Sequence, residues 1–345
     1  MLKDSKPQSR PISSSAPGTT SVSRAEASAG RQSWLKRLLT ALLGRKRERR
    51  TNLTLLTMAL PGLILIFIFA YLPMVGLVIA FKDYRFSEGI WGSQWVGFEN
   101  FRFLFGTDTA WRVTRNTLLM NGLFIVTGTV VSLTIAILLN EVFTSWLARY
   151  YQTMLFFPYF ISWVIVSYFV FGFLNVNNGL LNQLFIALGL KPISWYRSPE
   201  YWPVILTLSH LWNSVGFGSI IYLAGILGIS PEYYEAAKID GAAKWQQIRY
   251  ITLPMLLPLI IILVLLSIGR IFYADFGLFF FVPRDTPLLY PTTDVIDTFV
   301  YRSLVELGNI SMAAAAGFYQ SIVGFVLVLL ANWIVRKINR DYSLF

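Results

Sequence analysis

The chain has 345 residues, 55% of them hydrophobic and only 14% charged, with a mean hydropathy of +0.56, a balance that excludes an ordinary soluble domain. There is no cysteine, one histidine (His210) and no Gly-Lys pair, which excludes disulfides, thiolate or paired-histidine metal sites and a P-loop nucleotide site. The formal charge is +11, and where it lies along the chain decides what it means.

Residues 1–30 are rich in Ser, Pro, Ala and Gly and read as a disordered cytoplasmic segment. They are not a signal peptide, because no apolar core follows the early basic residues. Residues 31–57 read as an amphipathic, basic helix. Trp34, Leu35, Leu38, Leu39, Leu42 and Leu43 share one helical face, which suits a helix lying on the inner membrane surface and touching lipid. A plain basic anchor for the first span is the alternative.

From 58 to 335 the chain reads as a six-span, all-α polytopic membrane domain. Segments near 58–81, 116–140, 153–174, 202–227, 255–282 and 312–335 are each apolar enough to cross a bilayer, which needs about 20 residues. A short tail, 336–345, follows. The loops then fall on two sides. The side with the N-terminus, 141–152, 228–253 and the tail holds 19 Lys/Arg against 8 Asp/Glu, and the other side holds 9 of each. The positive-inside rule makes the basic side cytoplasmic, with both termini there. The basic pI is thus a topology signal, and no nucleic-acid partner is needed to explain it.

The loop after the fourth span carries the most information. Residues 232–254 read EYYEAAKIDGAAKWQQIRYITLP. Ser230 and Pro231 open a helix, with Glu232 and Glu235 in its early turns where the dipole favours negative charge. The helix should run to about Asp240 and stop at Gly241, which turns without steric cost. A second short helix is expected from Ala242 to Tyr250, and Pro254 should then open the fifth span. The product is a helix–turn–helix knob of small and aromatic residues. Physics alone leaves two readings: a docking surface for another chain, or a hairpin packed on its own bundle.

Glu235-Ala236-Ala237, Gly241 four residues on, and Ile251-x-Leu253-Pro254 resemble the EAA loop of ABC importer permeases. Trp212, Gly216-Phe217, Tyr222-Leu223-Ala224-Gly225, Ile239-Asp240-Gly241-Ala242, residues 95–105 and Asn116-Thr117 are similar to the carbohydrate branch of that family, the maltose-transporter class. The likeness covers roughly 55–340 and implies the type I importer fold in a bacterial cytoplasmic (inner) membrane. It implies two permease subunits, two ATPase subunits that hold ATP and Mg, and an extracytoplasmic solute-binding protein. This chain itself would bind no cofactor and catalyse nothing. Glu235, Ala236, Ala237, Asp240 and Gly241 would form the ATPase-coupling contact, in the loop 230–254. One chain has one such loop, so a second permease is required and a heterodimer is expected. The likeness brings to mind importers of larger, polysaccharide-derived cargo, including the anionic alginate type.

Polar residues inside spans are costly and face a cavity or a partner helix. Arg270 lies about 16 residues into the fifth span, roughly 24 Å along a straight helix. Asp275, five residues on, is turned about 140° away, so the two should not pair. Arg270 either lines the pathway or pairs with another span. Asn213, His210, Asn121, Gln320, Trp212 and Tyr273 complete the set of pathway candidates. Interhelical hydrogen bonding is the plain alternative for each polar member. Together they describe a polar passage with aromatic neighbours, which suits sugars. The aromatic-rich exterior loops 82–115 and 175–201 could form an interfacial belt, a small cap, or the seat of the binding protein. Two other classes stand beside the importer: a membrane-embedded glycan or lipid enzyme, and a permease-derived sensor. Neither has a supporting motif.

Overall fold

A computed structural model describes residues 46–142 and 145–338. The expected disordered segment, most of the expected surface helix and all but the first residues of the tail lie outside the described residues. The described residues divide into two compact units, one up to Val75 and one from Gly76 onward. In the first unit, helix α1 (Lys46–Ile66) passes into a π turn, Phe67–Tyr71. A 3-10 stretch, Leu72–Phe81, then closes the first span, which covers Thr54–Phe81.

The second unit is a helical bundle. Its first four main helices are α2 (Asp108–Glu141), α3 (Ser145–Phe156), α4 (Trp163–Leu174) and α5 (Trp202–Leu227). Then come α6 (Pro231–Ile239), α7 (Lys244–Gln247), α8 (Leu253–Ile268), α9 (Phe276–Phe281), α10 (Ile296–Tyr301) and α11 (Ile310–Ile338). The one sheet among the described residues is a two-stranded antiparallel ribbon, β1 (Lys82–Asp83) with β2 (Gln94–Trp95).

Helices α2 and α5 pack along one another. Around them sits a core of Met120, Phe124, Val166, Trp202, Leu206, Leu278 and Phe279. Helix α5 also crosses α3 closely: a Cβ at Gly216 would collide with the backbone carbonyl of Leu155. Only glycine permits that approach, the usual role of small residues where membrane helices meet.

The fourth span begins and ends where the hydropathy placed it. The second starts at Asp108, eight residues early, because 108–115 is helical although charged. Asp108 sits in the first turn, and Arg112 reaches across to Asp294. Two expectations need correction. The third span is not straight: Trp146–Phe160 and Trp163–Leu174 meet at 100°. The extended residues Ile161 and Ser162 make the corner, after Pro158. Nor is the fifth span one helix from 255 to 282. Its helix starts at Lys244, runs through a π turn at Ile248–Thr252 into α8, and stops at Ile268. Residues 269–275 are turns and irregular chain before α9.

Irregular backbone at membrane depth persists only where other groups satisfy it. Here they come from distant parts of the sequence. Asn121 Nδ2 donates to the Ile271 carbonyl at 2.7 Å, and Gln320 Nε2 to the Phe272 carbonyl at 2.6 Å. The Ala274 N–H donates to Asp297 Oδ2 at 2.8 Å. Burial raises the Asp297 carboxyl pKa above its ordinary range, opposed by the bonds from Ala274 N–H and Gln320.

The segment 283–309 is tied down by buried charge. Asp294 is 1% exposed and pairs with Arg112 at 3.0 Å and with Arg302, which also meets Asp285 at 2.8 Å. Burial alone would lower the Arg302 pKa, but Asp294 beside it wins and raises it. Burial pushes the Tyr290 phenol up to about 12. In the loop 175–201 Trp195 is buried, donating from Nε1 to Asn182 Oδ1 at 3.1 Å, so it is core of that loop and not a free docking aromatic.

Candidate functional sites: a coupling elbow and a central cavity

The elbow is built as its residues require. Pro231 starts α6, which ends at Asp240, and Gly241 follows with φ +77°. The Ala242 N–H donates to the Ala237 carbonyl at 2.8 Å and the Gly241 N–H to the Lys238 carbonyl at 3.1 Å. That pair of bonds is the Schellman closure, which needs a left-handed residue at Gly241. A capping exchange opens α7: Ala243 N–H donates to Gln246 Oε1, and Gln246 N–H donates back to the Ala243 carbonyl. Tyr234 and Thr252 hydroxyls bond at 3.0 Å, joining α6 to the foot of α8.

The expected second helix is therefore shorter than 242–250, and Pro254 does not start a separate span. Glu235, Ala236 and Asp240 are exposed and Ala237 half-exposed. Ile239 at the tip is 86% exposed and Trp245 65%. The elbow thus presents large apolar side chains in the open.

The second site is a cavity of about 700 Å³ between α2, α5, α8 and the broken stretch. Asn121, His210, Arg270, Tyr273 and Asp275 line it, together with Phe217, Ser214 and Ser267. Three candidates lie elsewhere. Asn213 is buried and donates from Nδ2 to the Pro158 carbonyl at 2.8 Å, at the corner of the third span. Gln320 holds the Phe272 carbonyl. Trp212 faces a second, apolar hollow of about 600 Å³ with Val166, Phe169 and Leu208. On α5, then, the stripe of His210, Ser214 and Phe217 faces the cavity, while the stripe of Ser209, Asn213 and Gly216 packs against its neighbours.

Within the cavity the polar residues differ in how free they are. Asp275 is fully engaged: Oδ2 accepts from Trp163 Nε1 at 2.7 Å, and Oδ1 caps α9 by accepting from Leu278 N–H. Gly277 beside it lets the Trp163 ring lie on α9, since a Cβ there would strike the indole. The corner of the third span and the break in the fifth are thus fastened together. Asn121 spends its amide donors on backbone carbonyls. Among the described residues the Arg270 guanidinium has no acidic or carbonyl partner, and it is exposed to the cavity. His210 stacks on Phe124 with centroids 4.3 Å apart, and its buried Nδ1 has no partner. Phe217, which lines the cavity, stacks on Tyr159 at 4.8 Å. Sequence reasoning did not single out Trp163 or Tyr159; their partners lie 112 and 58 residues away, beyond any local pattern.

Comparison with known proteins gives a consistent answer. The chain is 36% identical over 306 residues to the polygalacturonan/rhamnogalacturonan transport system permease protein YteP of Bacillus subtilis (strain 168), covering 89% of this chain and 92% of that protein. It is 35% identical over 296 residues to protein LplB of the same organism, covering 86% and 91%. Among solved structures, a bacterial ABC transporter involved in the import of the acidic polysaccharide alginate matches with a TM-score of 0.77 and 35% identity, over 85% of this chain and 98% of that one. Residues 128–340 match the family described as binding-protein-dependent transport system inner membrane component. With that match across most of the bundle and with relatives this similar along nearly the whole chain, the protein belongs to the family of binding-protein-dependent transport system inner membrane components.

Proposed function

We propose that this chain is one of two different permease subunits of an ATP-driven importer for carbohydrate, and that its cargo is an acidic oligosaccharide cut from a polysaccharide. The relatives named for polygalacturonan and alginate support that substrate class. A solute-binding protein delivers the cargo from outside, as one is bound in a solved alginate transporter. ATP and Mg are held by separate ATPase subunits, and this chain carries out no reaction of its own. Both termini lie in the cytoplasm. Glu235, Ala236, Ala237, Asp240 and Gly241 seat the elbow in an ATPase, whose closure moves the bundle by rigid-body rotation and alternates access.

The observation that carries the cargo reading is Arg270. A guanidinium lining a cavity without a counter-ion suits a uronate carboxylate, by charge-assisted hydrogen bonds. The Phe217 and Tyr273 rings in the lining suit a sugar ring face. Uptake through the assembled transporter tests this. Losing hydrogen bonds to a charged group costs about 1.5–3 kcal/mol, so Arg270→Ala should cut uptake of acidic oligosaccharides by roughly ten-fold or more. Neutral chains of equal length should be hardly affected. Equal loss for both removes the acidic-cargo reading.

A further inference from the structure

The elbow's second arm is joined to the bundle twice. One joint is covalent: α7 runs through the π turn at Ile248–Thr252 into α8 with no break. The other is an ion pair. Lys244 Nζ, the first residue of α7, lies 2.7 Å from Oε2 of Glu141, the last residue of α2. The first arm is bound to this frame by the Schellman closure and by the Tyr234–Thr252 bond. The elbow therefore cannot swing about Gly241 as a free flap.

Helix α2 is a single 34-residue rod. Its face carrying Asn121, Phe124, Gly128 and Ser132 lines the same cavity as α8 and Arg270. From Glu141 to Phe124 is 17 residues, about 25 Å of helix. A displacement of the elbow reaches one wall through α8. It can reach the other through Glu141.

We propose that Glu141 and Lys244 are positioning residues that transmit elbow motion to α2, so that both walls of the cavity move together when the ATPase closes. This rests on the coupling role of residues 230–254 proposed above. The pair is partly exposed, with side-chain accessibilities of 55% for Lys244 and 32% for Glu141, so its effect is graded and weakened by salt.

The test uses the complete transporter in proteoliposomes: both permeases, the ATPases and the binding protein. Glu141→Lys and Lys244→Glu each place like charges together. Each should lower the number of sugars imported per ATP hydrolysed by about two- to ten-fold. The double exchange, Glu141→Lys with Lys244→Glu, should restore that ratio. The proposal is overturned if either single variant keeps the wild-type ratio. It is equally overturned if the double exchange fails to restore the ratio in protein that assembles normally. A merely structural pair would reduce the amount of assembled transporter and leave the ratio alone, which also overturns it. A crosslink from Ala237 to the ATPase separates the two ideas. Its absence in the wild type defeats the coupling reading itself, whereas its presence with an unmoved ratio defeats only the ion-pair joint.

Discussion

Removing the Asp294 carboxylate should loosen the segment 283–309 and little else. Asp294 is 1% exposed, and its oxygens accept from Arg112 at 3.0 Å, from the Thr298 hydroxyl at 3.2 Å and from Arg302. Breaking a buried ion pair by deleting one partner costs about 3–5 kcal/mol, because the other charge is left uncompensated. Two features favour the lower end here. Arg302 keeps Asp285 at 2.8 Å and the Tyr290 ring at 4.3 Å, and the Arg112 side chain is 32% exposed and can turn to water. Taking about 3 kcal/mol, local opening becomes roughly a hundred-fold more frequent. Hydrogen exchange reads this directly: amides of α10 should exchange about a hundred-fold faster in Asp294→Ala, while those of α8 stay unchanged. Asp294→Asn keeps an acceptor and should fall between. A change of less than about three-fold in the Ala variant would refute the view that this buried carboxylate anchors the segment.

Asn121→Leu should leave the Ile271 and Tyr273 carbonyls without their donor and destabilise the protein by about 1–3 kcal/mol, seen as earlier thermal unfolding in detergent. An unchanged transition would show that the broken span does not depend on it. At Gly241 a Cβ meets open space, so only the backbone conformation is at stake. Gly241→Ala should cost about 1 kcal/mol and reduce uptake modestly. Gly241→Pro fixes φ near −65° and removes the N–H bonded to Lys238, so it should abolish uptake while the chain still inserts; full uptake would remove the coupling role.

Much of the architecture was legible because hydropathy and charge report directly on the bilayer. The α-helix of the fourth span, with Pro203 in its first turn and Gly228 at its C-cap, has the expected bounds 202–227, and the first span ends at Phe81 as expected. Gly241 after an Ala-rich helix gave the elbow, since only a residue at ease with positive φ closes a helix that way. The break at 269–275 was not legible. It contains no proline, its two charged residues, Arg270 and Asp275, read equally well as pathway groups on a continuous helix, and the groups that stabilise it are Asn121, Asp297 and Gln320, far away in the chain. The same residues explain why the pathway candidates divided. Polar side chains in spans two, four, five and six read alike in sequence, yet Asn213 and Gln320 serve buried main-chain carbonyls whereas His210 and Arg270 line the cavity. Pro158 was the one local hint of the corner in span three.

The way the interrupted fifth span is held has a consequence for retargeting. The irregular stretch owes its shape to its own main chain and to amides and carboxylates borrowed from α2, α10 and α11; the Arg270 side chain contributes nothing to it, and Tyr273 only a 3.4 Å hydroxyl contact with Ser321. Positions 270 and 273 are therefore interchangeable fittings on a fixed frame. A library randomised at these two sites should yield many folded transporters, sorted by what they admit rather than by whether they stand up.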